Sequence, residues 1–288
     1  ADEPPAVVAA RKRQEALPSV EFNVRFKSDR DAGTQRLVFD GPKVLLELRT
    51  TSDPARTWIA ATDGNRVRQS LVCDDPARGG GVGAINPLSE GVCRGTKFLP
   101  LTLTARPLDT DHCPFPMAAL TPTGTEEIGG RVCDVFTGTM PGFAVPATAW
   151  FDPAAGYSLR RFRIGGEVTD MELSNDNPAG VWLPTKYTTT KTTAAGKAEV
   201  TEYVVERVEV GKAYPVAEFD PPWPVGLKVH DLVAGGEFVA GEDGVLQPAD
   251  NHAVWDWLAR LWWVPVAFVG LTAGLAGWRM WRKRKVSP

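Results

Sequence analysis

Along residues 20–26 the chain alternates: Val20, Phe22, Val24 and Phe26 are apolar, and Glu21, Asn23 and Arg25 lie between them. A period of two sends successive side chains to opposite faces of a strand, so this stretch predicts a strand with one buried and one solvated face. Residues 4–17 before it predict a short helix, with Pro4 and Pro5 at its start and Pro18 at its end. Two hairpins follow. Residues 35–39 and 43–49 flank Asp40-Gly41, and residues 56–62 and 65–72 flank Asp63-Gly64. Residues 73–99 are rich in Gly, Asp and Pro and read as a long loop. Residues 99–122 are mixed and read as a short helix or an insertion. Strands are predicted again at 131–139, 147–152, 158–164, 167–174, 186–192 and 198–208, joined by Gly- or Pro-marked turns. A last small hairpin spans 226–240 around Gly235-Gly236.

The composition agrees with many short strands. Gly (28) and Pro (24) together make about 18% of 288 residues, against a usual ~12%. An all-helical bundle is disfavoured, and with 43% hydrophobic residues so is wholesale disorder. The glycine run at 79–83 lacks the following Lys-Ser/Thr of a phosphate cradle and reads as loop.

Charge is unevenly placed. The net charge is −3, yet Arg279, Arg282, Lys283, Arg284 and Lys285 close the chain with no acid among them. An acidic body with a short basic tail excludes a nucleic-acid binder, which needs a basic face on its domain. Ahead of the basic cluster, residues 261–278 carry no formal charge. A helix of that length reaches about 27 Å, enough for one membrane span. Trp262 and Trp263 at one end and Trp278 and Trp281 at the other match an aromatic belt. The expectation is a single-pass inner-membrane protein with an extracytoplasmic (periplasmic) N-terminal domain and a cytoplasmic C-terminus. The start ADEPP is read as what a cleaved signal peptide leaves. This divides the chain into an extracytoplasmic domain (1–230), a small hairpin and linker (231–258), a transmembrane helix (259–279) and a basic tail (280–288).

Cys73, Cys93, Cys113 and Cys133 all fall in the part expected to be exported. An even count in an oxidising compartment predicts two disulfides. Sequential pairing closes the shortest loops and is one of three possible connectivities. No close Cys pair suggests zinc. The histidines are His112, His230 and His252, and no nucleophile elbow or HExxH motif accompanies them. No catalytic residue, metal or cofactor is expected.

Several phrases carry a family likeness: EALPSVEFNVRFK, WIAATDGNRVRQS, EEIGGRVCDVFTG, ATAWFDPAAGYSLRRFRI with Asp152-Pro153 ahead of Arg160 and Arg161, GVWLPTKYTTTK and AEFDPPWPVGLKVHD. Together, over roughly residues 4–230, they resemble the LolA/LolB-like superfamily, shared with the N-terminal domain of RseB/MucB-type regulators. The resemblance implies an α+β, mainly β fold: a curved antiparallel half-barrel of about ten strands over an N-terminal helix. The C-terminal transmembrane helix would be added to it, a departure from the soluble LolA carriers. It also implies an apolar concavity. Val20, Phe22, Val24, Phe26, Leu37, Phe39, Trp58, Trp150, Phe162 and Trp182 are its candidate lining. The expected function is non-enzymatic binding of a lipid or lipoprotein acyl chain. The alternative is an envelope-sensing module that contacts another membrane protein.

Overall fold

The computed structural model describes residues 4–75, 80–88, 98–108, 117, 120–140 and 145–249. The chain divides into two compact units, Ala1–Gln247 and Pro248–Pro288, and the helices and cavities described below belong to the first. Helix α1 (Pro5–Ala16) begins with proline in its first turn, where no backbone N–H is missed. It buries Ala6, Ala10 and Arg13, a stripe spaced by four and three residues.

A first meander follows: β1 (Ser19–Ser28), β2 (Ala32–Asp40), β3 (Lys43–Thr50), β4 (Arg56–Thr62), β5 (Arg66–Cys73) and β6 (Gly81–Pro87). Helix α2 (Leu99–Ala105) lies between it and a second meander: β7 (Thr121–Ile128), β8 (Arg131–Met140), β9 (Val145–Asp152), β10 (Ser158–Ile164), β11 (Glu167–Ser174), β12 (Leu183–Thr192) and β13 (Ala198–Val210). Short strands β14 (Lys228–Asp231), β15 (Glu237–Ala240) and β16 (Leu246–Pro248) end the described chain. The meanders join through β1 and β13 into one 16-stranded sheet, in the order β16-β15-β14-β6-β5-β4-β3-β2-β1-β13-β12-β11-β10-β9-β8-β7. Both meanders are antiparallel, whereas β14 joins β6 in parallel.

Register puts like with like. Phe22 stands opposite Leu37 of β2 and Val208 of β13, and Val20 opposite Phe39 and Val210. Gly33 faces Phe26, and a Cβ there would lie 1.9 Å from the carbonyl oxygen of Arg49, so the close approach of β2 to β3 requires glycine. The strand order dictates two long crossings. β6 and β7 are consecutive strands near opposite ends of the sheet, so the connection carrying α2 must cross one face. β13 and β14 are likewise separated by the whole first meander, and residues 211–227 cross the other face.

The faces differ by residue parity. Leu37, Phe39, Val44, Leu46 and Ala60 join α1 and α2 in the main core. Val38, Leu45 and Ala61 point the other way and pack with Tyr214 and Phe219. These are called the inner and outer faces below. At the edge, β7 is exposed and carries Pro122, a bulge before Gly124, and Glu126 and Glu127, features that discourage pairing with a further strand.

Three expectations are corrected. The sheet has sixteen strands where about ten were expected. β6 (GVGAINP) had read as loop because its glycines and proline mask a strand that β5 and β14 hold from both sides. No helix among the described residues is long and apolar enough to cross a membrane. The helices α1 and α2, of 12 and 7 residues, span only about 18 and 10 Å of the ~30 Å a bilayer core demands. Among the described residues the architecture is mainly β with two short helices, so the C-terminal transmembrane helix, and the single-pass inner-membrane placement drawn from it, are not supported. Residues 259–279 with Trp262, Trp263, Trp278 and Trp281, and the basic cluster after them, lie outside the described residues.

The disulfide expectation changes too. Cys73 and Cys133 are free thiols. They sit on β5 and β8, near opposite ends of the sheet, so they cannot bridge each other. Cys93 and Cys113 lie outside the described residues. With two of the four thiols free, two disulfides do not form. Burial, reinforced by the charge of Asp152, raises the Cys133 thiol above its usual range, so it stays protonated at neutral pH.

Candidate functional site

The inner face gathers most of the positions singled out by pattern. Val20, Phe22, Val24, Phe26, Leu37, Phe39 and Phe162 all belong to its core cluster and are at most 3% exposed. Trp58 is half-buried against the same cluster and stacks on Phe98, with ring centroids 5.4 Å apart. Trp182 lines a separate cavity beside α1. Trp150 lies on the outer face, because its neighbours Ala149 and Phe151 point inward. There its indole N–H donates to Glu126 Oε2 at 2.8 Å, and Arg161 and Arg163 lie over its ring. His230 sits on β14 and pairs with Glu237 across the strand at 3.4 Å, both exposed. His112 and His252 lie outside the described residues.

What covers the inner face is unusual in composition. All seven residues of α2, LPLTLTA, are buried. Its two threonines satisfy themselves: Thr102 Oγ1 donates to Phe98 O at 3.0 Å and Thr104 Oγ1 to Pro100 O at 2.9 Å. The helix thus presents methyls and leucine side chains on every side. The same core cluster includes a buried polar spot. Tyr187 and Tyr203 stack at 4.3 Å, and the Tyr187 hydroxyl donates to Gln35 Oε1 at 3.2 Å. Burial raises the Tyr187 phenol well above its usual value.

Two buried arginines fasten the helices. Arg106, just past α2, donates from Nη1 to Leu17 O at 2.7 Å and Ala105 O at 3.0 Å, and from Nη2 to Pro18 O at 3.0 Å. Its guanidinium also lies 5.2 Å from the Phe39 ring centroid. Arg13, on α1, donates from Nε to Thr104 O at 3.0 Å. Its Nη1 donates to Tyr157 O at 2.8 Å, Gly156 O at 3.2 Å and Ser158 Oγ at 3.1 Å. The acceptors are carbonyls and a hydroxyl, so Arg13 is held by dipoles. Burial lowers its pKa to about 10, which leaves it charged at neutral pH. Sequence reading missed both arginines. Arg13 was visible in principle, since a charged residue on the Ala6–Ala10 stripe must find acceptors inside.

Asp152 supplies the geometry opposite Arg13. Its Oδ1 accepts from the backbone of Ala154 and Ala155, capping the short 3₁₀ turn Pro153–Ala155, and its Oδ2 accepts from Arg160 Nε at 3.0 Å. The turn ends with Gly156 and Tyr157 both at positive φ, 61° and 56°. That left-handed pair is strained at tyrosine, and it presents two successive carbonyls to Arg13.

Two cavities adjoin these elements. One of about 410 Å³ is lined by Leu48, Trp58 and Leu71 together with polar groups that include Asp31, Asp53 and Arg56. Another of about 250 Å³ lies between α1, the Ala155–Ser158 corner and the Gly180–Trp182 segment.

No protein-family model and no curated protein sequence matches the chain. Among solved structures, it is similar to a domain assigned to an outer membrane lipoprotein-sorting protein from Vibrio parahaemolyticus. The identity is 11% and the TM-score 0.49, covering 74% of this chain and 95% of that one. An uncharacterized conserved protein from Thermus thermophilus gives 10% identity and a TM-score of 0.38, covering 78% and 99%. The MucA/MucB complex of Pseudomonas aeruginosa gives 13% and 0.30, covering 82% and 74%. The lipoprotein-sorting domain and MucB fall in the protein groups that the sequence resemblance named. At TM-scores below 0.5 their functions do not transfer to this chain.

Proposed function

We propose that the chain is a non-enzymatic binding protein that takes an acyl chain of a lipid or lipoprotein on the inner face of its sheet, in the place of α2. The observation that carries this reading is α2 itself. It is a short, wholly apolar cylinder laid on an apolar sheet, and Arg13 and Arg106 fasten its C-terminal end. An acyl chain makes the same demands: apolar contact all round and no hydrogen bonds to satisfy. Burying Leu99, Leu101 and Leu103 stabilises the covered state by roughly 1.5–3 kcal/mol each. At about 0.8 kcal/mol per methylene, an acyl chain with about eight buried methylenes offsets that loss. The Trp58–Phe98 stack at the start of α2 borders the 410 Å³ cavity, which supplies an entry beside the helix.

The test is native mass spectrometry of the delipidated full chain mixed with a diacyl phospholipid, joined to hydrogen exchange over residues 98–106. A one-to-one adduct with faster exchange in this segment is expected. Absence of an adduct, or an adduct that leaves exchange there unchanged, overturns the reading.

A further inference from the structure

The cavity beside α1 holds an uncompensated buried cation. Arg13 is 4% exposed, and its Nη2 has no hydrogen-bond partner, although Nε and Nη1 between them serve four acceptors. Among the described residues no carboxylate pairs with it. Arg13 lines the 250 Å³ cavity, and the one other charged residue of the lining among the described residues, Lys12, is also basic. The rest of the wall is mostly apolar: Ala9, Ala155, Val181 and Trp182.

The wall is also built with care. Asn177 fixes the segment ahead of Trp182, its Nδ2 donating to Val181 O at 2.6 Å and its Oδ1 accepting from Ala179 N at 3.2 Å. Ser158 Oγ donates to Trp182 O at 3.1 Å while accepting from Arg13. The strained Gly156–Tyr157 corner forms the opposite side. A buried charge held only by dipoles is stabilised by an oxyanion more than by any neutral group. Because Nε and Nη1 are already engaged, Nη2 can meet a single oxygen, not a bidentate pair. Nη2 is itself shielded from solvent, so the oxygen reaches it only as neighbouring side chains of the lining yield. At ~30 Å³ per water, the cavity has room for about eight water-sized groups.

We propose that this cavity binds a short free fatty acid, its carboxylate taken by Nη2 of Arg13 and Nζ of Lys12 and its alkyl chain laid against Ala9, Val181 and Trp182. The site is separate from the face under α2 and does not rest on the acyl-chain reading. It needs no displacement of the helix.

The probes are octanoate, the neutral isostere 1-octanol, and acetate, which carries the charge without the chain. They are titrated into the full chain and followed by two-dimensional NMR at Gly156, Gly180 and the Trp182 indole. Octanoate is expected to bind at least about tenfold tighter than either control, a charge-assisted bond being worth about that factor. Ala9→Phe, a helix-compatible change that fills the cavity, should weaken octanoate binding at least about tenfold while leaving the circular dichroism spectrum intact. Arg13→Gln should cut the preference for octanoate over octanol, leaving only the share that Lys12 supplies. Should that variant not fold, Ala9→Phe alone decides. Octanoate binding no tighter than octanol, or binding that survives Ala9→Phe, overturns the proposal. The latter result would place the acid elsewhere, whatever the fate of the reading for α2.

Discussion

The two crossings of the sheet solve the same topological problem with different chemistry. On the inner face the β6–β7 connection lays down α2, fastened by arginine to backbone carbonyls. On the outer face the β13–β14 connection lays down Tyr214, Phe219 and Trp223, fastened by arginine to carboxylates. Glu21 is the hub there. It accepts from Arg36 Nε at 2.9 Å, Arg36 Nη2 at 3.2 Å, Asn23 Nδ2 at 2.9 Å and the Tyr214 hydroxyl at 2.9 Å. Arg36 also binds Glu218, and Arg68 pairs with Asp220 while lying 4.5 Å from the Trp223 ring centroid. Carbonyls do not titrate and carboxylates do. The inner fastening is thus indifferent to acid, and the outer one is not.

The largest effect is expected where the fastening leaves buried polar groups behind. Arg106→Leu removes three donated bonds and strands the carbonyls of Leu17, Ala105 and Pro18. With losses near 1–3 kcal/mol per stranded group and partial relaxation, urea unfolding should show about 3 kcal/mol of destabilisation. Hydrogen exchange should quicken over residues 98–106 and not over 214–219. Equal quickening on both faces would mean that the crossings are one cooperative unit, and the contrast between them would fall.

Next comes Glu21→Gln. Burial alone would raise the Glu21 carboxyl, but the hydrogen bonds from Arg36, Asn23 and Tyr214 and the charge of Arg36 outweigh it and hold the pKa at about 2. A carboxylate with a depressed folded-state pKa stabilises the fold above its unfolded value of ~4.3. That stabilisation fades as pH falls from there through about 2. It is on the order of 3 kcal/mol at most. Wild-type protein should therefore lose stability over this interval, with the 214–219 segment exchanging first. The Gln variant should start about 2 kcal/mol lower at neutral pH and show a flatter acid limb. An unchanged acid limb would remove Glu21 from the hub.

The same contrast explains what the sequence could tell. β1 to β5 and β8 to β13 announce themselves by alternation, since one face is buried along much of each strand. β7 does not, because TPTGTEEI is exposed along nearly its whole length. α2 is announced only weakly, as a short helix or an insertion somewhere in the mixed stretch 99–122. Leu99, Leu101 and Leu103 alternate with Pro100, Thr102 and Thr104 as in a strand, yet the segment is helical. Burial on all sides leaves no polar face to mark a 3.6-residue period, and the threonine hydroxyls bond back to carbonyls four residues earlier. The candidate lining of the inner face was therefore readable residue by residue from β1 and β2. Its covering and its arginine fastenings were not, because they depend on which strands end up at the edges. Trp150 is among the candidates for the concavity. Its parity relative to Phe151 puts it outside.

The smallest effect sharpens the outer half of the comparison. Arg68 is 13% exposed at its side chain and does two things: it pairs with Asp220, and its guanidinium covers Trp223. Trp223 in turn closes over Gly83, where a Cβ would come within 2.8 Å of the indole. Arg68→Met keeps the stem over the ring and deletes the charge, so the packing half of the contact survives. The loss should be about 1 kcal/mol, the scale of one partly exposed ion pair plus one cation–π contact. Exchange should rise at 220–229, where the strap reaches β14, and stay unchanged at α2. Gly83→Ala offers the complement, since it leaves the charge and pushes the indole away. If both substitutions release the same segment by similar amounts, the strap is held at Trp223 by packing, with the ion pair riding on it. If Arg68→Met does nothing while Gly83→Ala opens the segment, charge contributes nothing at this end and the acid sensitivity of the outer face belongs to Glu21 alone.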